Sequence, residues 1–202
     1  MNINMKWKAS PNYSNSDMEK IGVVLHSTLG SYKGALSWLT SPKSQVSAHY
    51  LVGREEGESV QMVKNEDMAW HAGVISLPSK RFKSFAKKST YSSTGYTNPN
   101  LYMIGIEFAA GYDINKDGKV TPDEFSLTEW QYEEGVRIIQ EEIGFDLKKE
   151  HLITHRDVAV YKPDMENVYD EFMYRLYGSP DEQKRKALCA IIKSISDKYC
   201  NE

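Results

Sequence analysis

A chain of 202 residues has room for one domain with a real core and little more. Its 25 basic and 28 acidic residues leave a net charge of −3, without the basic excess expected of a protein held by nucleic-acid phosphates. A hydrophobic content of 40% excludes a disordered chain, and no run approaches the roughly 20 apolar residues of a spanning helix.

The opening stretch, MNINMKWKASPNYSNSD, has no apolar core of signal-peptide length, so the chain is expected to be made and kept in the cytoplasm. Ile21–His26 is a short β-branched run that predicts a buried strand. Lys33–Leu39, with Ala35, Leu36, Trp38 and Leu39, predicts a short helix stopping before Pro42. Ser47–Val52 and Ser59–Val63 flank the turn REEGE and predict a hairpin. Ile75–Asn100 is polar and Lys-rich, as in an inserted solvated loop, with a wall- or substrate-facing loop as the alternative. Leu101–Phe108 predicts another apolar strand. Thr128–Ile143 predicts a helix with Trp130, Val136, Ile139 and Ile143 inward and Gly144 at its C′ position.

Leu152–Thr154 predicts a short strand, and Pro163–Gly178 is a second inserted stretch, acidic and aromatic. Ser179–Cys200 predicts a terminal helix with Ser179 as N-cap, Pro180 at N1 and Glu182 completing a capping box. Strands interleaved with helices predict an α/β single domain with a central mixed β-sheet flanked by helices.

Cys189 and Cys200 are the two cysteines, about 16 Å apart on a continuous helix, too far to pair. The chemistry therefore falls to the five histidines, His26, His49, His71, His151 and His155. His151 and His155 stand four apart. HLITH lacks the glutamate of HExxH, and Leu-Ile-Thr favours a strand on which the two side chains lie about 13 Å apart.

Five blocks carry a resemblance: VVLHST (Val23–Thr28), VSAHYLV (Val46–Val52), AWHAG (Ala69–Gly73), IGIEF (Ile104–Phe108) and THRDVAVYKPD (Thr154–Asp164). In order and spacing they resemble the zinc-dependent N-acetylmuramoyl-L-alanine amidases of the amidase-2 group, whose fold the peptidoglycan recognition proteins share. The resemblance implies zinc ligands at His26, His155 and Asp164, a catalytic lysine at Lys162 and a general base at Glu107. Ala48 stands where some phage members carry a tyrosine, so the glutamate type is implied. Val160 and Met165 replace the usual prolines, and the step from His155 to Asp164 is one residue shorter than usual, with Asp157 as the alternative carboxylate. Trp70 and His71 are expected to line the substrate groove or support the site, and His49 to pack within its strand.

The implied function is cleavage of the peptidoglycan amide between N-acetylmuramic acid and L-alanine, in the manner of an endolysin released to the wall after holin action. A cytosolic recycling amidase for anhydro-muropeptides and a non-catalytic peptidoglycan-recognition module are the alternatives. Peptidoglycan is the expected partner and the chain is expected to be monomeric, with no nucleic-acid partner and no stable membrane insertion.

Asp113–Glu124, DINKDGKVTPDE, matches a calcium-loop pattern, with Asp113, Asn115, Asp117, Lys119 (through its carbonyl) and Glu124 as expected Ca²⁺ ligands and Gly118 at the turn.

Overall fold

The computed structural model describes residues 5–110, 126–162 and 166–179. The calcium-loop pattern, Asp164 and the terminal helix predicted from Ser179 to Cys200, with its two cysteines, lie outside the described residues, Ser179 itself excepted.

Five strands form the central sheet in the order β4-β3-β6-β2-β7: β4 (Ser59–Gln61), β3 (Tyr50–Val52), β6 (Met103–Ala109), β2 (Gly22–Thr28) and β7 (Leu152–Thr154). β3, β6, β2 and β7 run parallel, and β4 is antiparallel to β3. The inner strands are apolar on both faces because both faces are covered, as parallel sheets require. A small two-stranded sheet joins β1 (Tyr13–Ser14) to β5 (Met68–Ala69).

One face of the sheet presents Val23, Leu25, Ile104, Ile106 and Phe108. Against it pack Ile138 and Ile139, beside α3 (Glu129–Arg137), and Val168 and Phe172 of α5 (Glu166–Tyr177). The opposite face divides. Val24, Met103 and Ile153 meet Phe82 of α2 (Lys80–Phe85) and Val158 of α4 (His155–Val158). Leu51 and Ala109 meet Ala35 and Leu39 of α1 (Tyr32–Leu39). The result is a mixed sheet flanked by helices, as predicted. Burying one such Leu, Ile or Phe contributes about 1.5–3 kcal/mol before entropy is subtracted.

The helices start where their caps dictate. Ser31 caps α1 by accepting from Gly34 N, and Ser79 caps α2 by accepting from Phe82 N. Thr128 and Gln131 form a reciprocal capping box on α3, and Gly144, at φ +79°, follows its end.

Two expectations need correction. Residues 75–100 are not simply a solvated loop: they carry α2, and Ile75, Phe82 and Ala86 fill the second core cluster. Phe82, the buried residue of α2, and Ala86 at its C-terminal end seat the helix, and Phe85 packs beside them at helical spacing. The acidic, aromatic stretch after Lys162 likewise contains α5, which is part of the core. On α3 the fully buried residues are Gln131, Glu134 and Gly135, while Val136 packs half-buried against the core as predicted, with Ile139 and Ile143 beyond it, and Trp130 is half-buried. Gln131 points inward because its Nε2 donates to Ala109 O at 3.2 Å, at the end of β6. Glu134 is held by a two-pronged ion pair with Arg137, at 2.8 and 2.9 Å. Ile138–Glu142 continues the helix as one π turn.

Candidate active site

The site lies at the carboxyl ends of the parallel strands, where open α/β sheets bind ligands. His26 and Glu107 are Cα partners across the β2–β6 ladder. Leu25 pairs with Thr154 across β2–β7, so His155, one residue further on, opens α4 beside His26. Strand alternation sends Val24 into the core beneath α2 and turns His26, two residues later, to the same face beyond that helix. His26, His155, Glu107 and Lys162 line one cleft of about 240 Å³, with Trp38 and Trp70 also on its wall.

Three histidines, His26, His71 and His155, are linked around this cleft, and their hydrogen bonds fix their protons. His71 Nε2 lies 3.3 Å from Met103 O, and a carbonyl only accepts, so Nε2 carries the hydrogen. Burial holds His71 neutral by pushing its pKa well below the usual range, which leaves its Nδ1 as an acceptor. His26 Nε2, 3.0 Å from that Nδ1, must then donate. His26 is also kept neutral, chiefly by burial, so its own Nδ1 is bare. His155 Nε2 donates to Ala72 O at 2.9 Å, and burial lowers this imidazole to about 4, so its Nδ1 is bare as well.

The two bare nitrogens, His26 Nδ1 and His155 Nδ1, face each other at 2.9 Å. Two lone pairs at that distance repel unless a cation or proton lies between them. Imidazole nitrogens bound to a tetrahedral zinc at about 2.0–2.1 Å stand roughly 3.3 Å apart, so this pair fits two of three protein ligands. Asp164, implied as the third, is outside the described residues. Among the described residues no set of three His, Cys, Asp or Glu side chains is gathered for a metal.

Glu107 sits half-buried and makes no hydrogen bond to any described residue. Burial pushes its carboxyl up to about 8, while the positive charge of Lys162 opposes the rise. A carboxylate drawn partly out of water with no hydrogen bond among the described residues is costly, and such groups concentrate at functional sites.

Asp157 is engaged elsewhere. Its Oδ2 accepts from Thr154 N at 2.9 Å and from Arg81 Nη1 at 3.0 Å, and its Oδ1 accepts from Ser79 Oγ at 2.6 Å. It closes the capping box of α4 and fixes the turn that presents His155. His151 does not join His155: its Nδ1 lies 2.8 Å from Ile21 O and its ring stacks near Phe85. His49 is fully buried, with Gly105 N donating to its Nδ1 at 3.0 Å and its Nε2 donating to Asp67 O.

The cleft wall also depends on residues that the sequence did not single out. Asn100 Oδ1 accepts from Ala72 N at 2.7 Å and His71 N at 3.3 Å, clamping the segment that carries His71. Gly105 seats the His71 ring: a Cβ there would fall 2.5 Å from His71 Cγ. Trp38 is 58% exposed on α1, since Ala35 and Leu39 supply that helix's buried face. The signal for Gly105 was present in IGIEF, a glycine inside an otherwise apolar strand.

The family model described as N-acetylmuramoyl-L-alanine amidase matches residues 17–167. N-acetylmuramoyl-L-alanine amidase A of Achromobacter lyticus is 44% identical over 99 residues, 49% of this chain and 42% of that relative. The match thus spans less than half of that relative's length. The amidase AmiD from E. coli, solved as a complex with the substrate anhydro-N-acetylmuramic acid-L-Ala-D-γ-Glu-L-Lys, has a TM-score of 0.52 at 24% identity, covering 76% of this chain and 57% of that one. A mutant endolysin from Bacillus subtilis has a TM-score of 0.53 at 17% identity, covering 86% and 98%. The chain belongs to the N-acetylmuramoyl-L-alanine amidase family.

Proposed function

We propose that this chain is a zinc-dependent hydrolase that cleaves the peptidoglycan amide between N-acetylmuramic acid and L-alanine. The observation that carries the proposal is the convergence of two bare imidazole nitrogens at 2.9 Å in the cleft that Glu107 and Lys162 also line. His26, His155 and Asp164 would hold the ion. When bound, zinc acts as a Lewis acid toward a carbonyl and lowers the pKa of water.

The chain's own groups supply the proton transfers. Glu107, whose carboxyl burial raises to about 8, in its ionised form takes a proton from the attacking water as the water oxygen bonds to the carbonyl carbon. The same carboxyl then delivers that proton to the L-alanine nitrogen as the carbon–nitrogen bond breaks. Lys162 places an ammonium at the cleft, suited to the negative charge that develops on the carbonyl oxygen. Trp70 forms part of the wall on which substrate rests, its indole Nε1 anchored to Ser14 Oγ at 3.2 Å.

The setting we favour is that of an endolysin acting on the cell wall after holin-type release, in keeping with the endolysin among the structural neighbours. No helix among the described residues is long and apolar enough to cross a membrane. The anhydro-muropeptide bound to AmiD favours a second setting, recycling of soluble fragments. Parallel assays on intact sacculi and on soluble anhydro-muropeptides separate the two: preference for sacculi supports the endolysin, and preference for the soluble fragments overturns it. Calcium enters the proposal through the oxygen-ligand pattern of 113–124 alone, and calorimetric titration with Ca²⁺ tests it.

A further inference from the structure

We infer that His71 is a positioning residue that sets the tautomer of His26, so that the bare Nδ1 of His26 is presented to the metal. The inference rests on His26 being a zinc ligand, as proposed above. Metal-bound histidines usually donate their second ring N–H to a carboxylate, a backbone carbonyl or water. His155 follows that rule through Ala72 O. His26 does not: its Nε2 faces another imidazole, His71 Nδ1, at 3.0 Å. An imidazole nitrogen accepts only if its own ring carries the hydrogen on the other side. Met103 O, 3.3 Å from His71 Nε2, ensures that it does. The orientation of His26 is therefore secured in two steps that end on a strand β6 carbonyl.

The ring of His71 is built to stay in this position. It is 8% exposed and lies edge-on to His26, at 85° with centroids 5.1 Å apart. Asn100 holds its backbone, and Gly105 leaves the space in which the ring sits. Flipping the ring would aim carbon at both Met103 O and His26 Nε2, and the opposite tautomer would set acceptor against acceptor at Met103. His71, expected to line the groove or support the site, thus has both ring nitrogens occupied by the protein.

The experiment uses the full chain. Long-range ¹H–¹⁵N NMR of the metal-free protein should show a hydrogen on Nε2 of His26, of His71 and of His155, whether or not a proton is shared between the two facing Nδ1 atoms. Zinc affinity, read by competition with a chromophoric chelator, should fall about 10–100-fold in His71→Leu. His71→Gln keeps an oxygen that can accept from His26 and an amide that can reach Met103 O, and should recover most of the affinity. An Nδ1–H tautomer at His26 in the unsubstituted protein overturns the inference, as does zinc binding by folded His71→Leu within twofold of normal. Equal weakening in the Gln and Leu variants also overturns it, since ring packing alone would then be the cause. If the unsubstituted protein takes up no zinc, the proposed metal site fails, and the NMR tautomers still decide whether the relay exists.

Discussion

His26 and Glu107 are lateral neighbours on adjacent parallel strands, paired Cα to Cα in the β2–β6 ladder. Because paired residues on neighbouring strands point to the same face, the proposed metal ligand and the proposed proton carrier come to one cleft without any loop having to place them. The rigidity of the sheet, covered on both faces, then holds their separation.

Substitutions at these two positions should have different consequences. Glu107→Gln preserves shape and removes the base, so zinc stoichiometry by plasma mass spectrometry should stay near that of the parent while hydrolysis falls by about 10²–10⁴-fold. His26→Ala removes a proposed ligand and should abolish stoichiometric zinc. Full zinc content in purified His26→Ala would remove His26 from the ligand set.

Asp157 acts on the site from behind. Asp157→Ala takes the carboxylate from Thr154 N, Arg81 and Ser79 together and should destabilise the protein by about 1–3 kcal/mol, a fall of several degrees in Tm. Zinc should still bind. Loss of all metal with an unchanged Tm would instead make Asp157 a ligand.

Gly105→Ala places a methyl group against the His71 ring, where the nearest atom is 2.5 Å away. Overpacking of this kind costs about 1–3 kcal/mol, and urea unfolding should register it. The same change should weaken zinc binding by displacing His71, whereas Gly144→Ala, far from the cleft in an open turn, should lower stability alone.

The buried histidines make acid sensitivity a property of the fold. Burial, aided by the positive charge of Lys20, lowers His49 to about 3, so it stays neutral in the native protein while the unfolded chain takes up a proton below about 6.5. The unfolded state thus binds more protons between these values, and stability falls as pH drops from about 6.5 toward 3, by up to about 1.4 kcal/mol per pH unit for this group. Urea titrations of metal-free protein at pH 7 and 4.5 should show that loss. In His49→Gln the dependence on pH should be shallower, whatever its absolute stability, and an unchanged slope would contradict the assignment.

Much of this architecture was legible because local pattern and global role agree. Strands at Val23–Leu25, Ile104–Ile106 and Leu152–Thr154 read as apolar runs since both faces are buried, and Gly144, at φ +79°, marks the end of the helical segment predicted from Thr128. The motif histidines and Glu107 were named from their blocks, and the register explains why those blocks meet. What stayed hidden depends on partners distant in the chain. His26 meets His71 across 45 residues, and Asn100 reaches Ala72 across 28. Neither contact leaves a periodic trace. Gln131 and Glu134 look like surface residues until Ala109 O and Arg137 satisfy them.

The most direct test of the central claim is mass spectrometry of purified peptidoglycan digested by the zinc-loaded protein, by the protein stripped with a chelator, and by the stripped protein after zinc is restored. Stem peptides with a free N-terminal L-alanine should appear in the first and third digests and not in the second. Release of those peptides at full rate from the stripped protein, or cleavage at a different bond, would contradict the account.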